Sequence, residues 1–447
     1  MPRVVVVSPP FQSHAQPLSV LAGALARAGS DVTFACSPPF ARLAEEARTA
    51  FAPLTVSRNA NTGVARSTRQ GVRESERLEE FLGSTREGAI AALLTQSRHR
   101  GEDMLAGPEK VLAEVRALQE RLAPDWFVVD QLSYSVTLAL HCLGLPFATF
   151  CPGHPTYLPH GPEALFGVPY AWPRAVRPSV RELAELRQAA LKNDLAFTER
   201  FAAVARGHAP QAPAPGRAFA LTSRHAVVFN YPWFSWLPKH QSSHVRFLHG
   251  GHCVSPEETG PGEEWEGVLS RLRSRSGRLV LIALGTFLSA RDDVLALLIR
   301  GILARCPDVA VVVAAGEGAS RLAEFAGPKV HVARVVPQRW LLRRVDAMVH
   351  HGGNNSFTEC VASGTPALIL PFSSDQFSIA HDAERARLAT CLNPATLTED
   401  TAGAAVRDLL AHAPAGLGRW SEALRRRGPH WTADHLLDAM ESSARSR

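Results

Sequence analysis

Short apolar runs alternate along this chain with longer segments of helical periodicity, and the alternation occurs twice. Residues 4–7 are valine at every position, the mark of a strand covered on both faces. After a proline-containing loop at 8–13, Leu18, Leu21, Ala22 and Leu25 recur at helical spacing and predict a helix over 15–28, stopped at Gly29. A strand follows at 31–35. Another at 126–129 ends on Asp130, then come a helix through Leu143 and a strand at 146–150, and 226–229 reads as the last strand of this half.

The second stretch is more regular. It predicts strands at 279–284, 309–314, 330–336, 347–350 and 367–370, with helices at 293–306, 339–344, 355–363 and 376–388 between them. Strands alternating with helices indicate parallel α/β sheets, one per half. A Gly- and Pro-dense run at 249–262 separates them. The expected organisation is a first domain over 1–250, a linker at 251–265, a second domain over 266–415 and an amphipathic helical tail at 416–447. Residues 58–121 (polar, Arg-rich, with helical patches), 152–215 (with a helix near 180–205) and the loop at 211–216 carry less signal.

Composition narrows the class. The chain has 447 residues, 46% of them hydrophobic, enough to bury real cores and to exclude disorder or a disulfide mini-scaffold. Its 48 basic against 42 acidic side chains leave a net charge of +6, but only Lys110, Lys192, Lys239 and Lys329 are lysines and the arginines are dispersed. Without a basic block, neither nucleic-acid nor membrane binding is expected. Cys36, Cys142, Cys151, Cys253, Cys306, Cys360 and Cys391 contain no CxxC pair and read as reduced core thiols. The apolar run at the start is too short for a signal peptide, and no window approaches the ~20 apolar residues of a membrane span, so a cytoplasmic location is expected.

Common chemistries are absent from the sequence. There is no GxxxxGK phosphate loop, no GxGxxG after the first strand, no HExxH and no Asp-x-Asp pair. The HGG at 351–353 is similar to an esterase oxyanion loop, but no GxSxG supplies a nucleophile. What remains are polar clusters beyond the carboxyl ends of strands, where ligands of parallel α/β sheets bind. His14 follows the first strand, Asp130 closes the strand at 126–129, and His351 to Ser356 follow the strand at 347–350 and open a helix. Such a turn offers free N–H groups and the positive end of a helix to a phosphate. Gly285 and Thr286 add donors after the strand at 279–284. Each residue also has a plain structural reading: Asp130 and Asp375 as helix caps, His350 as a strand residue, Gly352 and Gly353 as a tight turn, Glu359 as a solvated helix face.

The run from Gln338 to Gln376, PQ…LL…HGGNNS..E…GTP.L.LP…DQ, resembles the donor-binding signature of the family 1 glycosyltransferases, the UDP-glycosyltransferase superfamily. The first half adds a strand, His-x-x-Pro and a helix, and later PD…VVD…GLP. The resemblance implies the GT-B fold, two facing Rossmann-like domains with the nucleotide sugar on the second and the acceptor on the first. It also implies a C-terminal helix that crosses back to the first domain. Under it, His14 matches the catalytic base and Asp130 its partner. His351, Gly353, Asn355 and Ser356 match contacts to the diphosphate, Gln338 and Glu359 contacts to base and ribose, and Asp375 and Gln376 the pair that holds the sugar.

Three positions depart from the pattern. Val335 stands where many members place a stacking Trp, Ser13 replaces a Gly and Ile379 an Asn. The donor base is therefore open between UDP- and dTDP-sugars. Phe11, His154 and Tyr157, with His160 and Trp172, are the candidate acceptor-lining residues, a mobile surface loop being the alternative. The expected activity is inverting transfer to a small, hydrophobic, natural-product type acceptor, with no metal and no cofactor besides the donor. The alternatives are a non-catalytic nucleotide-sugar binder and a GT-B epimerase or hydrolase.

Overall fold

The computed structural model describes residues 1–57, 60–64, 68, 71–211, 213, 215–240, 242, 244–254 and 262–445. Arg58, Ala212, Ala214, residues 255–261 of the expected linker and the last two residues of the tail lie outside them. Two parallel sheets form, as the alternation predicts. The first contains β1 (Arg3–Val7), β2 (Asp31–Cys36), β3 (Ala50–Pro53), β4 (Trp126–Asp130), β5 (Phe147–Cys151), β6 (Ala226–Phe229) and β7 (Arg246–His249), in the order β3-β2-β1-β4-β5-β6-β7. The second contains β8 (Arg278–Ala283), β9 (Val309–Ala314), β10 (Val330–Ala333), β11 (Ala347–His350), β12 (Ala367–Ile369) and β13 (Ala389–Cys391), in the order β10-β9-β8-β11-β12-β13.

The all-apolar strands are two-faced, because successive side chains point to opposite sides of a sheet. In β1, Val4 and Val6 pack with Leu18, Leu21 and Leu25, while Val5 and Val7 pack with Val111, Val115 and Leu118. In β8, Leu279 and Leu281 join Val268 and Leu272, while Val280 and Ile282 join Leu295, Leu298 and Ile302. Each sheet reverses its strand order once, between β1 and β4 and between β8 and β11. Those switch points open the crevices in which such sheets hold ligands.

The structure corrects several expectations. β6 is not the last strand of the first sheet: β7 pairs with it in parallel. β3 and β13 are short edge strands without an alternation long enough to read. The helix expected from residue 15 starts at Gln12, which places His14 in its first turn. The helix Glu263–Arg273 begins inside the stretch assigned to the linker, and Cys253 is buried in the first domain's core. The tail is two helices, Leu417–Arg426 and Pro429–Arg445, broken at Gly428 with φ of 99°. Leu417 and Leu424 pack in the second domain, whereas Ala433, Leu436, Ala439 and Met440 pack against the first.

The polar segment after residue 58 holds three helices, Val72–Glu87, Ala89–Met104 and Pro108–Leu122. Leu78 and Leu82 of the first one enter the core of the second domain. Among the described residues no helix is long and apolar enough to cross a membrane.

Candidate active site

The two switch points face a shared cleft of about 890 Å³. On the first domain, β1 runs into the helix Gln12–Arg27 and β4 ends on Asp130, so the sheet's reversal sets His14 beside Asp130. His14 Nδ1 lies 2.9 Å from Asp130 Oδ2. The carboxylate is fully buried, and its other oxygen accepts the Leu132 N–H at 2.8 Å. Burial pulls the His14 pKa down, but attraction and hydrogen bonding to Asp130, with a contribution from Asp375, outweigh it and leave the imidazole above its ordinary value. With Nδ1–H donated to Asp130, Nε2 is the basic nitrogen; the ring lines the cleft and keeps an 18% exposed side chain. Phe11, the residue before the helix, sets its ring 5.8 Å from that of His14 and also lines the cleft.

The facing wall belongs to the second domain. Gly285 and Thr286 follow β8; His351 to Ser356 follow β11. Among the described residues no side chain caps the helix Asn354–Ser363, so its first-turn N–H groups stay open at the cleft. The His351 ring is wedged between two glycines: a Cβ on Gly285 would fall 2.5 Å from it and a Cβ on Gly353 2.3 Å from it. Burial lowers its pKa to about 4, so at neutral pH it is an uncharged donor or acceptor, and its buried Nδ1 has no partner among the described residues. An uncharged ring and open N–H groups suit a diphosphate. His350 points into the protein, fully buried, with Nδ1 accepting the Gly352 N–H at 3.0 Å. Gln338 Nε2 donates to Glu359 Oε2 at 2.7 Å and approaches Ser356 Oγ at 3.3 Å, which groups these three side chains at one end of the cleft.

Asp375 stands before the helix Gln376–Arg385 and lines the cleft. Burial raises its pKa, against the pull of the His154 N–H that its Oδ2 accepts at 2.9 Å. Gln376 also lines the cleft, but its Oε1 is spent on the N–H groups of Phe372 and Ser373 at 2.9 and 3.2 Å, so it braces the loop that presents Asp375.

The expected acceptor residues divide. Phe11 and Tyr157 line the cleft. His154 does not: its ring is fully buried, Nδ1 accepts the Thr156 N–H at 3.2 Å, and Nε2–H therefore donates to Asp382 at 2.9 Å. Trp172 packs on Phe377 at 4.8 Å, and the His160 ring sits 4.6 Å from that of His240; neither lines the cleft.

Three features escaped the sequence reading. Asp382, on the second domain, accepts from His154, Tyr170, Tyr231 and Trp236. Its signal was available: it lies seven residues after Asp375, on the same helix face, within an apolar stripe. Asn354 Nδ2 donates at 2.6 Å to the carbonyls of both Pro152 and Asn230, a second tie between domains. Asn355 Nδ2 donates to the Ser13 carbonyl at 2.9 Å. Pro17, four residues on, has no N–H with which to close the helical bond to that carbonyl, so the proline frees the acceptor that Asn355 takes.

The geometry has counterparts among known proteins. The sequence model described as "UDP-glucoronosyl and UDP-glucosyl transferase" matches residues 214–413, the second domain with the end of the first. A sterol 3-beta-glucosyltransferase of Glomerella lagenarium is 35% identical over 65 residues, 14% of this chain and 4% of that one, so the chain spans a small part of that curated relative. The glycotransferase of kitacinnamycin superposes over 98% of this chain and 100% of its own with a TM-score of 0.69 and 22% identity. Glycosyltransferase VinC in complex with DTDP covers 98% of this chain and 100% of its own, with a TM-score of 0.63 and 19% identity. At these identities the likeness to solved structures concerns the fold, which is GT-B. Residues 214–413 are thus similar in sequence to the UDP-glucoronosyl and UDP-glucosyl transferase family, and nearly the whole chain has the GT-B fold of solved glycosyltransferases.

Proposed function

We propose that the protein moves a sugar from a UDP- or dTDP-sugar to a hydroxyl of a small, largely hydrophobic acceptor, with inversion at the anomeric carbon and His14 as general base. The observation that carries this reading is the His14–Asp130 pair, 2.9 Å apart, on the wall of a cleft whose opposite wall is a neutral-donor cradle. An alcohol is a poor nucleophile at neutral pH, and a positioned base that takes its proton during attack contributes about 10²–10⁴-fold.

In this mechanism Asp130 holds the Nδ1–H, and Nε2 accepts the proton of the acceptor hydroxyl. The oxygen forms a bond to the anomeric carbon from the face opposite the diphosphate as the bond to the leaving phosphate oxygen breaks. The electron pair leaves on the nucleoside diphosphate, stabilised by the N–H groups around Gly353 and by His351. The proton remains on His14 as imidazolium beside the Asp130 carboxylate, as in other His–Asp pairs. A cradle of neutral donors carries the leaving charge without a metal ion. The fold likeness to a protein solved in complex with DTDP, together with Val335 in place of a stacking tryptophan, keeps dTDP-sugars beside UDP-sugars as donors.

The test is incubation with UDP-glucose or dTDP-glucose and a panel of phenols and alcohols, in the presence of EDTA. A glycoside of inverted anomeric configuration with stoichiometric nucleoside diphosphate is expected. Retained configuration, or free sugar from donor alone at the same rate, contradicts the reading.

A further inference from the structure

Two arginines are buried among the described residues, and they are treated very differently. Arg291, 4% exposed, is fully engaged: two nitrogens meet Asp293 at 2.7 and 2.8 Å, and Nη1 donates to the Thr85 carbonyl and hydroxyl. Arg100, 7% exposed, stands on the helix Ala89–Met104 and lines the cleft. Among the described residues its one hydrogen bond is a long one, Nη2 to the Tyr157 hydroxyl at 3.4 Å, and no carboxylate lies within 4.0 Å of its guanidinium. The neighbouring acid, Asp103, one turn further on, is held by Arg77 at 2.7 Å.

The position is built for a guanidinium. The Arg100 head lies 4.9 Å over the Phe166 ring and 5.9 Å from that of Tyr157. It packs against Gly167, where φ is 81° and a Cβ would fall 1.2 Å from Nη1, so only glycine leaves it room. A guanidinium stays protonated in proteins and cannot escape burial by losing its charge. Buried charge is costly unless paired and hydrogen-bonded. A planar fork with most donors open, aimed into a cleft, matches a carboxylate, which it can bind through two parallel bonds.

We infer that Arg100 receives a carboxylate carried by one of the two reactants. The inference rests on the transferase reading and adds to it a substrate class. The surrounding residues, Met104, Leu132 and Tyr157, belong to the first domain and favour the acceptor as the carrier. Gln96, one turn before Arg100, is bonded to Ser374 beside Asp375 at 2.7 Å, which places the transferred sugar within reach as the other source.

The test compares wild type with Arg100→Gln and Arg100→Lys by calorimetry. The probes are 4-hydroxybenzoate and 4-hydroxycinnamate, each against its methyl ester, with UDP-glucuronate against UDP-glucose as a second arm. The wild type should bind one acid about 10-fold or more tightly than its neutral counterpart, a usual size for a charge-assisted bond. Arg100→Gln should abolish that preference with the neutral probe's affinity unchanged, and Arg100→Lys should keep part of it. Preference for the hydroxy-acid locates the carboxylate on the acceptor; preference for UDP-glucuronate locates it on the sugar. The assignment is refuted if no acid is preferred in either arm, or if the preference survives Arg100→Gln. Should Arg100→Gln fail to fold, the wild-type comparison and Arg100→Lys decide. UDP and dTDP binding is measured alongside: nucleotide bound with no acid preferred refutes Arg100's role and leaves the transferase reading standing.

Discussion

Asp382 of the second domain accepts a hydrogen bond from His154 of the first at 2.9 Å, with both side chains fully buried. Tyr231 and Trp236 donate to the same carboxylate at 3.0 and 2.8 Å, and Tyr170 donates as well. Burial works to raise the Asp382 pKa, and these donors overcome it and hold the carboxyl below its ordinary value. Replacing Asp382 by Ala leaves several buried donors unpaired at about 1–3 kcal/mol each, so a loss of roughly 3–5 kcal/mol is expected. Denaturation followed by tryptophan fluorescence reads it directly, since Trp236 is one of the donors; an unchanged midpoint would sink the claim. Because the folded pKa is depressed, this contribution is present above the unfolded value of about 4 and lost as pH falls through the folded one.

Gly353 has an ordinary φ of −64°, so Gly353→Ala adds no backbone strain; it adds a methyl 2.3 Å from the His351 ring. The ring must move. Donor affinity should fall about 10-fold, the size of one lost charge-assisted bond, while the circular dichroism spectrum is unchanged. Titration with UDP and dTDP checks this, and undiminished affinity would show that the wedged ring does not contact the diphosphate.

The bond from Asn355 to the Ser13 carbonyl depends on Pro17. Asn355→Ala should cost about 0.5–1.5 kcal/mol. In a Pro17→Ala background the carbonyl regains a helical donor, so the same substitution should cost measurably less. A double-mutant cycle in denaturant gives the coupling, and additive effects would mean that the proline plays no part in freeing the carbonyl.

The pH dependence of transfer follows from the His14 environment. In the proposed mechanism the base is the unprotonated ring, and its pKa lies above the ordinary 6.5. The rate should therefore rise with pH through that raised value and level off above it. Asp130→Asn removes the main raising influence and leaves burial, so the rising limb should move to lower pH while the plateau drops about 10²–10⁴-fold. A limb that stays in place would show that it reports another group.

Much of this was legible because parallel α/β sheets write themselves plainly. The valine run of β1 and the apolar run of β8 have cores on both faces, and the polar residues that end such strands mark the crevice. His14, Asp130 and His351 could be located on that logic alone. His154 could not, because burial of a histidine depends on Asp382, far away in sequence, and a loop has no periodicity to reveal which way its ring turns. β3, β7 and β13 are partly exposed and too mixed to stand out as apolar runs, unlike the equally short but fully buried β6, β11 and β12. Leu78 and Leu82 look like the face of a solvated helix until the second domain supplies the core that covers them.

The imidazole of His14 is the centre of the proposed mechanism, and the most direct test is single-turnover transfer by the His14→Ala variant with donor titration on the same sample. Transfer should fall about 10²–10⁴-fold while the dissociation constant for the nucleotide sugar stays at the wild-type value. Transfer at the wild-type rate with donor still bound would contradict the assignment of the base and, with it, the proposed mechanism.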